Sequence, residues 1–195
     1  MLTAIGDVMR RCYERGWITT RDGNISLRKS LDGHLSDFIY ITPKGVRKTI
    51  IHPEHLVKLN INADIRQFPV STEFYMHKNL LVDAKTTMAV VHVHPTHVIA
   101  AIMAGWDLQK LCENFPEISR YTRVGPSVPI LPAGSHDLAN QTSDCFRING
   151  EIVYDIVGQA NHGVCAIGKH PWDAYEHIER LDHVCEIALK SGVKP

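Results

Sequence analysis

The sequence predicts an α/β protein of one domain, residues 1–195, with a mixed central sheet and helices on both faces. Three observations carry this. Strand and helix patterns alternate along the chain, but not in the strict strand–helix rhythm of a purely parallel sheet. Two early strand segments lie close enough for a hairpin-like connection, which makes part of the sheet antiparallel. No repeat, low-complexity tract or linker marks a second domain.

The elements follow in order. Residues 3–15 read as an amphipathic helix, with Ile5, Val8, Met9, Cys12 and Tyr13 near helical spacing, and Gly16 ends it. Gly23–Arg28 is a turn entering a strand. Phe38–Thr42 is a second strand, closed by Pro43-Lys44-Gly45, and Val57–Ile61 a short third. Ser71 and Thr72 are N-cap types, so a helix opens there and runs to about Val82, with Glu73 in its first turn at the positive end of the dipole. Met88–Val93 is an apolar strand. Pro95 suits the first position of a helix through about Met103. Residues 105–127 are irregular in pattern. Val128–Leu131 reads as a strand, Ser135–Phe146 as a helix, Ile152–Val157 and Gly163–Ile167 as strands. Pro171–Leu189 is a long closing helix whose stripe of Tyr175, Ile178, Leu181, Val184, Cys185 and Ala188 faces the core.

The totals exclude several classes of function. Apolar residues make up 44% and charged residues 22%, enough for a sizeable core without staples. Lys+Arg and Asp+Glu are both 21, so no strong field favours nucleic acid or an anionic membrane. No apolar stretch approaches the ~20 residues that span a bilayer. The five cysteines (12, 112, 145, 165 and 185) are odd in number and form no C-x-x-C pair, which points to the reducing cytosol. The N-terminal segment has no basic start followed by an apolar core, and therefore no secretion signal.

Histidine is the unusual count, at 12. A strand places residues i and i+2 on one face, so His92 and His94 point the same way at the end of Met88-Ala89-Val90-Val91. His162 lies where another apolar run ends in a turn. Three imidazoles suit zinc, copper, iron or nickel, and three protein ligands leave positions open for substrate. A lone histidine is ordinarily a hydrogen-bonded surface or core residue; two alternating at a strand end, with a third at a turn, weaken that reading. His97 is a candidate fourth ligand, although the turn after Pro95 aims it elsewhere, and His77 follows Glu73 by one helical turn. Glu73 is either a dipole-stabilising carboxylate worth only ~0.3–1 kcal/mol or a general base contributing ~10²–10⁴ in rate. Three turns are rich in small donors: Gly23-Asn24-Ile25-Ser26, Thr42-Pro43-Lys44-Gly45 and Ser71-Thr72. Together they could form an anion pocket, to which Lys44 adds a full charge.

As an ordered set, Gly23-Asn24-Ile25-Ser26-Leu27-Arg28, Thr42-Pro43-Lys44-Gly45, Ser71-Thr72-Glu73, Val91-His92-Val93-His94-Pro95 and Asn161-His162-Gly163 resemble the motifs of the class II aldolase/adducin family. The set spans nearly the whole chain and is specific to the superfamily, much less so to one reaction. The resemblance implies a three-layer α/β/α sandwich with a mixed, largely antiparallel sheet. It implies one divalent ion per subunit, Zn²⁺ or similar, on His92, His94 and His162, and Glu73 as acid/base. Substrate phosphate would be held at Asn24, Ser26, Thr42, Gly45, Ser71 and Thr72. It also implies a homotetramer with active sites at subunit contacts. The family often has Ser where Lys44 stands; the lysine either strengthens phosphate binding or signals a carboxylate or another substrate.

The expected reaction is aldol cleavage or condensation of a small phosphorylated ketose, through a metal-stabilised enediolate of dihydroxyacetone phosphate. Decarboxylation, dehydration and 4-epimerisation of related sugar or sugar-acid phosphates use the same chemistry and remain alternatives. Family aldolases take a tyrosine, and dehydratases a glutamate, from the region after the histidine strand. Here Glu117 and Tyr121 are both available, with Tyr121 assigned as donor to the aldehyde oxygen. A non-catalytic, adducin-like interaction domain is the competing class. The three histidines and Glu73 weigh against it.

Overall fold

Alternation along the strands sorts the core into two halves, one on each side of a six-stranded sheet. The structure, a computed structural model, describes residues 1–31 and 34–192. The tip of the hairpin predicted between the first two strands, and the last three residues of the domain, lie outside the described residues. The large strands are β1 (Asn24–Leu31), β2 (His34–Ile41), β3 (Val57–Asn60), β4 (Met88–Val93), β7 (Ile156–Gln159) and β8 (Gly163–Gly168), in the order β3-β2-β1-β4-β8-β7. Every ladder in this sheet is antiparallel. Among the described residues, parallel pairing is confined to the isolated bridges Val124–Ile156 and Val128–Gln159.

On β4, Ala89, Val91 and Val93 face α1 (Leu2–Glu14), α3 (Thr96–Met103) and α7 (Pro171–Ser191). Val90 faces the opposite way, with Cys165 and Ile167 of β8, against α2 (Phe74–Leu81) and α6 (His136–Cys145). Helices therefore cover both faces, as the sandwich reading requires. A one-residue slip of β4 would exchange these two sets of side chains. Each fully buried aliphatic contributes about 1.5–3 kcal/mol, so the register is fixed strongly. That matters for the site, because the same register sends His92 to the α2 side.

The helix ends follow ordinary capping chemistry. Ser135 Oγ accepts from Leu138 N at 3.1 Å at the start of α6. At the start of α7 the Asp173 carboxylate accepts from His170 N at 2.9 Å and Pro171 occupies the first turn. The stripe of α7 is buried in the first core half, as predicted.

Several boundaries differ from the sequence reading. Pro95 caps α3 rather than starting it. Glu73 is the N-cap of α2 rather than a first-turn residue, because Phe74 N already donates to Ser71 O at 3.1 Å and closes a turn before the helix. The irregular stretch 105–127 contains two short helices, α4 (Leu108–Glu113) and α5 (Pro116–Tyr121). Val128–Leu131 is not a strand: Pro129 within it and Pro132 just after it offer no N–H to a ladder, and only the bridge at Val128 forms. Ile152–Val157 is split. Its start pairs in a small hairpin, β5 (Arg147–Ile148) with β6 (Glu151–Ile152), while Val153 N and Tyr154 N both donate to Phe146 O. Only its end, from Ile156, joins the main sheet.

Candidate active site

The end of β4 and the turn before β8 bring three imidazoles together. His92, at 1% exposure, stands on the α2 face opposite Asn24 of β1. Its Nδ1 lies 2.9 Å from Val164 O and donates to it, which leaves Nε2 as a lone-pair nitrogen. His94 follows the strand, its backbone N–H donating to Trp17 O at 2.9 Å. Asp182 fixes this turn from behind. Its carboxylate accepts from Trp17 Nε1 at 3.0 Å and His97 N at 3.2 Å, and meets His97 Nδ1 at 3.1 Å. His97 is thus turned away from the cluster. His162 follows Asn161, whose φ is +56°. Gly163 then runs so close to β4 that a Cβ would lie 2.4 Å from Val93 O and 2.8 Å from His94 Cδ2. Any side chain there would push the third imidazole away from the first two.

The residues present fit a metal ion. His92 Nε2 and His94 Nε2 are 3.2 Å apart, and one ligand nitrogen from each of the three rings lies within 4.8 Å of the others. Two nitrogens bound at about 2.0–2.1 Å to a tetrahedral ion are roughly 3.3 Å apart. His162 Nδ1 is buried without a hydrogen-bond partner, a cost that a bound cation would remove. Burial first, then the neighbouring imidazoles, hold His92 and His94 well towards the neutral form; burial does the same for His162. Neutral imidazole is the form that binds metal.

These rings form one wall of a cavity of about 190 Å³. Glu73, buried, lies on the same cavity. Burial raises its pKa above the ordinary carboxylate value, partly offset by the Gly134 backbone N–H. The remaining walls include Asn24, Lys44, Gly45, Ser71 and Thr72, all named from the sequence. Asn24 Nδ2 donates to Ser71 Oγ at 3.1 Å, and Ser71 Oγ also accepts from Glu73 N at 3.2 Å.

Four named residues lie elsewhere. Ser26 and Thr42 are fully buried behind the cavity wall: Ser26 Oγ meets His77 Nδ1 at 2.6 Å, and Thr42 Oγ1 accepts from Ile25 N at 3.2 Å. Both support the wall rather than face a ligand. Glu117 and Tyr121 lie on α5 and line a different groove, together with Arg180 and Ile187. Within one chain they are not brought to the histidines.

Three cavity residues escaped the sequence reading: Arg21, Asp22 and Lys48. Lys48 is buried and its ammonium donates to Pro43 O at 2.7 Å and Val46 O at 3.4 Å, folding the Thr42–Gly45 turn around a positive charge. Its position three residues beyond Gly45 was the available signal, but in Val46-Arg47-Lys48 it reads as ordinary surface charge.

Comparison with known proteins bears on the family and the fold. The family model "Class II Aldolase and Adducin N-terminal domain" matches residues 3–189. An L-fuculose phosphate aldolase of Methanococcus maripaludis is 29% identical over 186 residues, covering 95% of this chain and 94% of that protein. A methylthioribulose-1-phosphate dehydratase of Bradyrhizobium sp. is 26% identical, over 93% of this chain and 88% of that one. The crystal structure of L-fuculose-1-phosphate aldolase from Thermus thermophilus superposes with a TM-score of 0.76 at 21% identity, covering 97% and 94% of the two chains.

Proposed function

Because this chain belongs to the class II aldolase and adducin family, we propose that it is a metal-dependent aldehyde-lyase making or breaking a carbon–carbon bond in a small phosphorylated ketose. The observation that carries this reading is one cavity that gathers three imidazoles, a buried carboxylate and cation-rimmed polar turns. His92, His94 and His162 hold the ion, zinc in this proposal. When bound, it supplies Lewis-acid stabilisation of the negative charge that develops on the substrate's oxygens, worth several kcal/mol. Asn24, Gly45, Ser71 and Thr72 hold the phosphate, with Lys44 and Lys48 supplying positive charge. Glu73 moves a proton at the carbon beside the carbonyl of dihydroxyacetone phosphate, removing it in condensation and returning it in cleavage. The whole chain acts as one domain in the cytosol. Its five cysteines are free thiols, and no described helix is long and apolar enough to cross a membrane.

A second reading, dehydration of a sugar phosphate, is favoured by the 26% identical dehydratase. A screen of purified protein over ketose 1-phosphates, tetronate phosphates, ribulose 5-phosphate and methylthioribulose 1-phosphate separates the reactions. Release of dihydroxyacetone phosphate is the expected result. Loss of water or release of carbon dioxide would replace the aldolase reading.

We place the active sites of a homotetramer at contacts between copies. Tyr121 is 52% exposed on α5, outside the histidine cavity, so its phenol serves as proton donor only to a neighbouring copy's site. Mixing His92→Ala with Tyr121→Phe protein tests this. Random assembly leaves roughly one quarter of sites with both residues intact, because each site draws on two chains. Activity near that level is expected. A mixture no more active than its parents would remove Tyr121 from the site.

The metal and Glu73 are linked through charge. Without metal, burial favours the protonated carboxyl; a dication on the same cavity favours the carboxylate. Carbon-13 NMR of the metal-free protein should show Glu73 titrating above the ordinary ~4.3, and added zinc should lower that titration. An unmoved titration would separate Glu73 from the ion. For stability the sign reverses: a raised folded pKa stabilises the fold in acid, and that contribution is lost as pH rises through it.

A further inference from the structure

We propose that His77 is a positioning residue which, as the Nε2–H tautomer, fixes the Asn24 amide so that its NH₂ group faces the phosphate end of the cavity. The inference rests on the sugar-phosphate reading above and concerns a residue that touches no substrate.

His77 is fully buried on α2, against the β1 residues Asn24 and Ser26. Its two ring nitrogens have different partners: Nδ1 is 2.6 Å from Ser26 Oγ, and Nε2 is in close contact with Asn24 Oδ1. An amide oxygen can only accept, so Nε2 carries the proton. Nδ1 then has a lone pair and accepts from the Ser26 hydroxyl. The chain of donors has one consistent direction. Ser26 O–H donates to His77, and His77 N–H donates to Asn24. Asn24 NH₂ donates to Ser71 Oγ at 3.1 Å, whose oxygen also takes the Glu73 backbone N–H. The second Asn24 amide hydrogen has no protein partner among the described residues, and Asn24 lines the cavity.

An asparagine is symmetric enough to flip, which would turn an acceptor oxygen towards an anion. A lone pair on Nε2 would favour that flipped state. The Nε2 proton forbids it, because the flipped NH₂ would meet another donor. Full burial keeps the ring from gaining a second proton, which would leave the Ser26 hydroxyl without its acceptor.

The test uses native, metal-loaded protein and inorganic phosphate as the probe. Nitrogen-15 NMR of the His77 ring should show a protonated Nε2 and an unprotonated Nδ1. Two substitutions separate positioning from packing. His77→Gln can keep an N–H at the Nε2 position, facing Asn24. His77→Asn reaches only the Nδ1 position and loses it. Phosphate affinity should stay within about threefold of native in His77→Gln and fall roughly tenfold or more in His77→Asn, the usual scale for one hydrogen bond to a charged group. Metal content should be unchanged in both. For any substrate found, KM should rise more than kcat falls. A ring protonated at Nδ1, or equal phosphate affinities in the two variants, would overturn the positioning role. If native protein binds no phosphate, the phosphate reading of the cavity fails and this inference fails with it. Phosphate bound beside an Nδ1–H ring sinks the inference alone.

Discussion

Replacing His162 by Ala should abolish turnover and remove the bound metal together. His162 Nδ1 is buried and unpartnered, and its ring sits about 5 Å from those of His92 and His94 (4.9 and 5.4 Å between centroids). Two imidazoles alone leave a site that cannot hold a zinc-like ion against water at ordinary concentrations. Chelation of native protein should reproduce the loss, and added zinc should reverse it. Chelation should also lower Tm. At 100-fold excess over Kd, a bound ion contributes about 2.7 kcal/mol. For a chain of this size each kcal/mol moves Tm by roughly 2–4 °C, so a fall of roughly 5–11 °C is expected in a thermal scan. Full turnover after chelation, or full metal content in His162→Ala, would contradict the triad.

Glu73→Gln should lower kcat by about 10²–10⁴, the usual contribution of a positioned base, while leaving metal content near native. Glutamine keeps the size of the side chain and its backbone N–H still reaches Ser71 Oγ. The α2 entry turn, closed by Phe74 N to Ser71 O, is also kept. Neutralising a buried carboxylate removes a desolvation cost, so the variant should be no less stable than native. This pairing of lost turnover with retained fold and metal separates a base from a capping residue. A Glu73→Gln protein that turns over normally would return the residue to its structural role as N-cap of α2.

The sheet and its long helices were legible where hydrophobic period and punctuation agree. β4 reads directly from Met88-Ala89-Val90-Val91-His92-Val93, and α7 from a six-residue stripe that follows Pro171. The errors arose where local pattern and tertiary partners part ways. Val128-Pro129-Ile130-Leu131 is apolar enough for a strand, yet Pro129 has no N–H to give to a ladder, and Ile130 is exposed. Tyr154 and Val153 look like strand residues, but their N–H groups go to Phe146 O rather than to a neighbouring strand. The helices α4 and α5, six residues each, are too short to display a full hydrophobic period.

The candidate site was legible in its residue types and less so in its depth. Spacing placed His92 and His94 on one face. Nothing local places His162 beside them; that follows from the β4–β8 ladder, in which Val93 pairs with Val164. Ser26 and Thr42 have the same residue types as the turns that line the cavity, and only burial shows that they stand one layer behind. Lys48 was missed for the opposite reason: a buried lysine capping two carbonyls has no signature beyond its charge.

X-ray absorption at the zinc edge of zinc-loaded native protein examines the coordination directly. Three imidazole nitrogens at about 2.0–2.1 Å, one or two oxygens and no sulfur are expected, with one ion per chain. Substoichiometric zinc, or a shell containing cysteine sulfur, would contradict a catalytic ion on His92, His94 and His162.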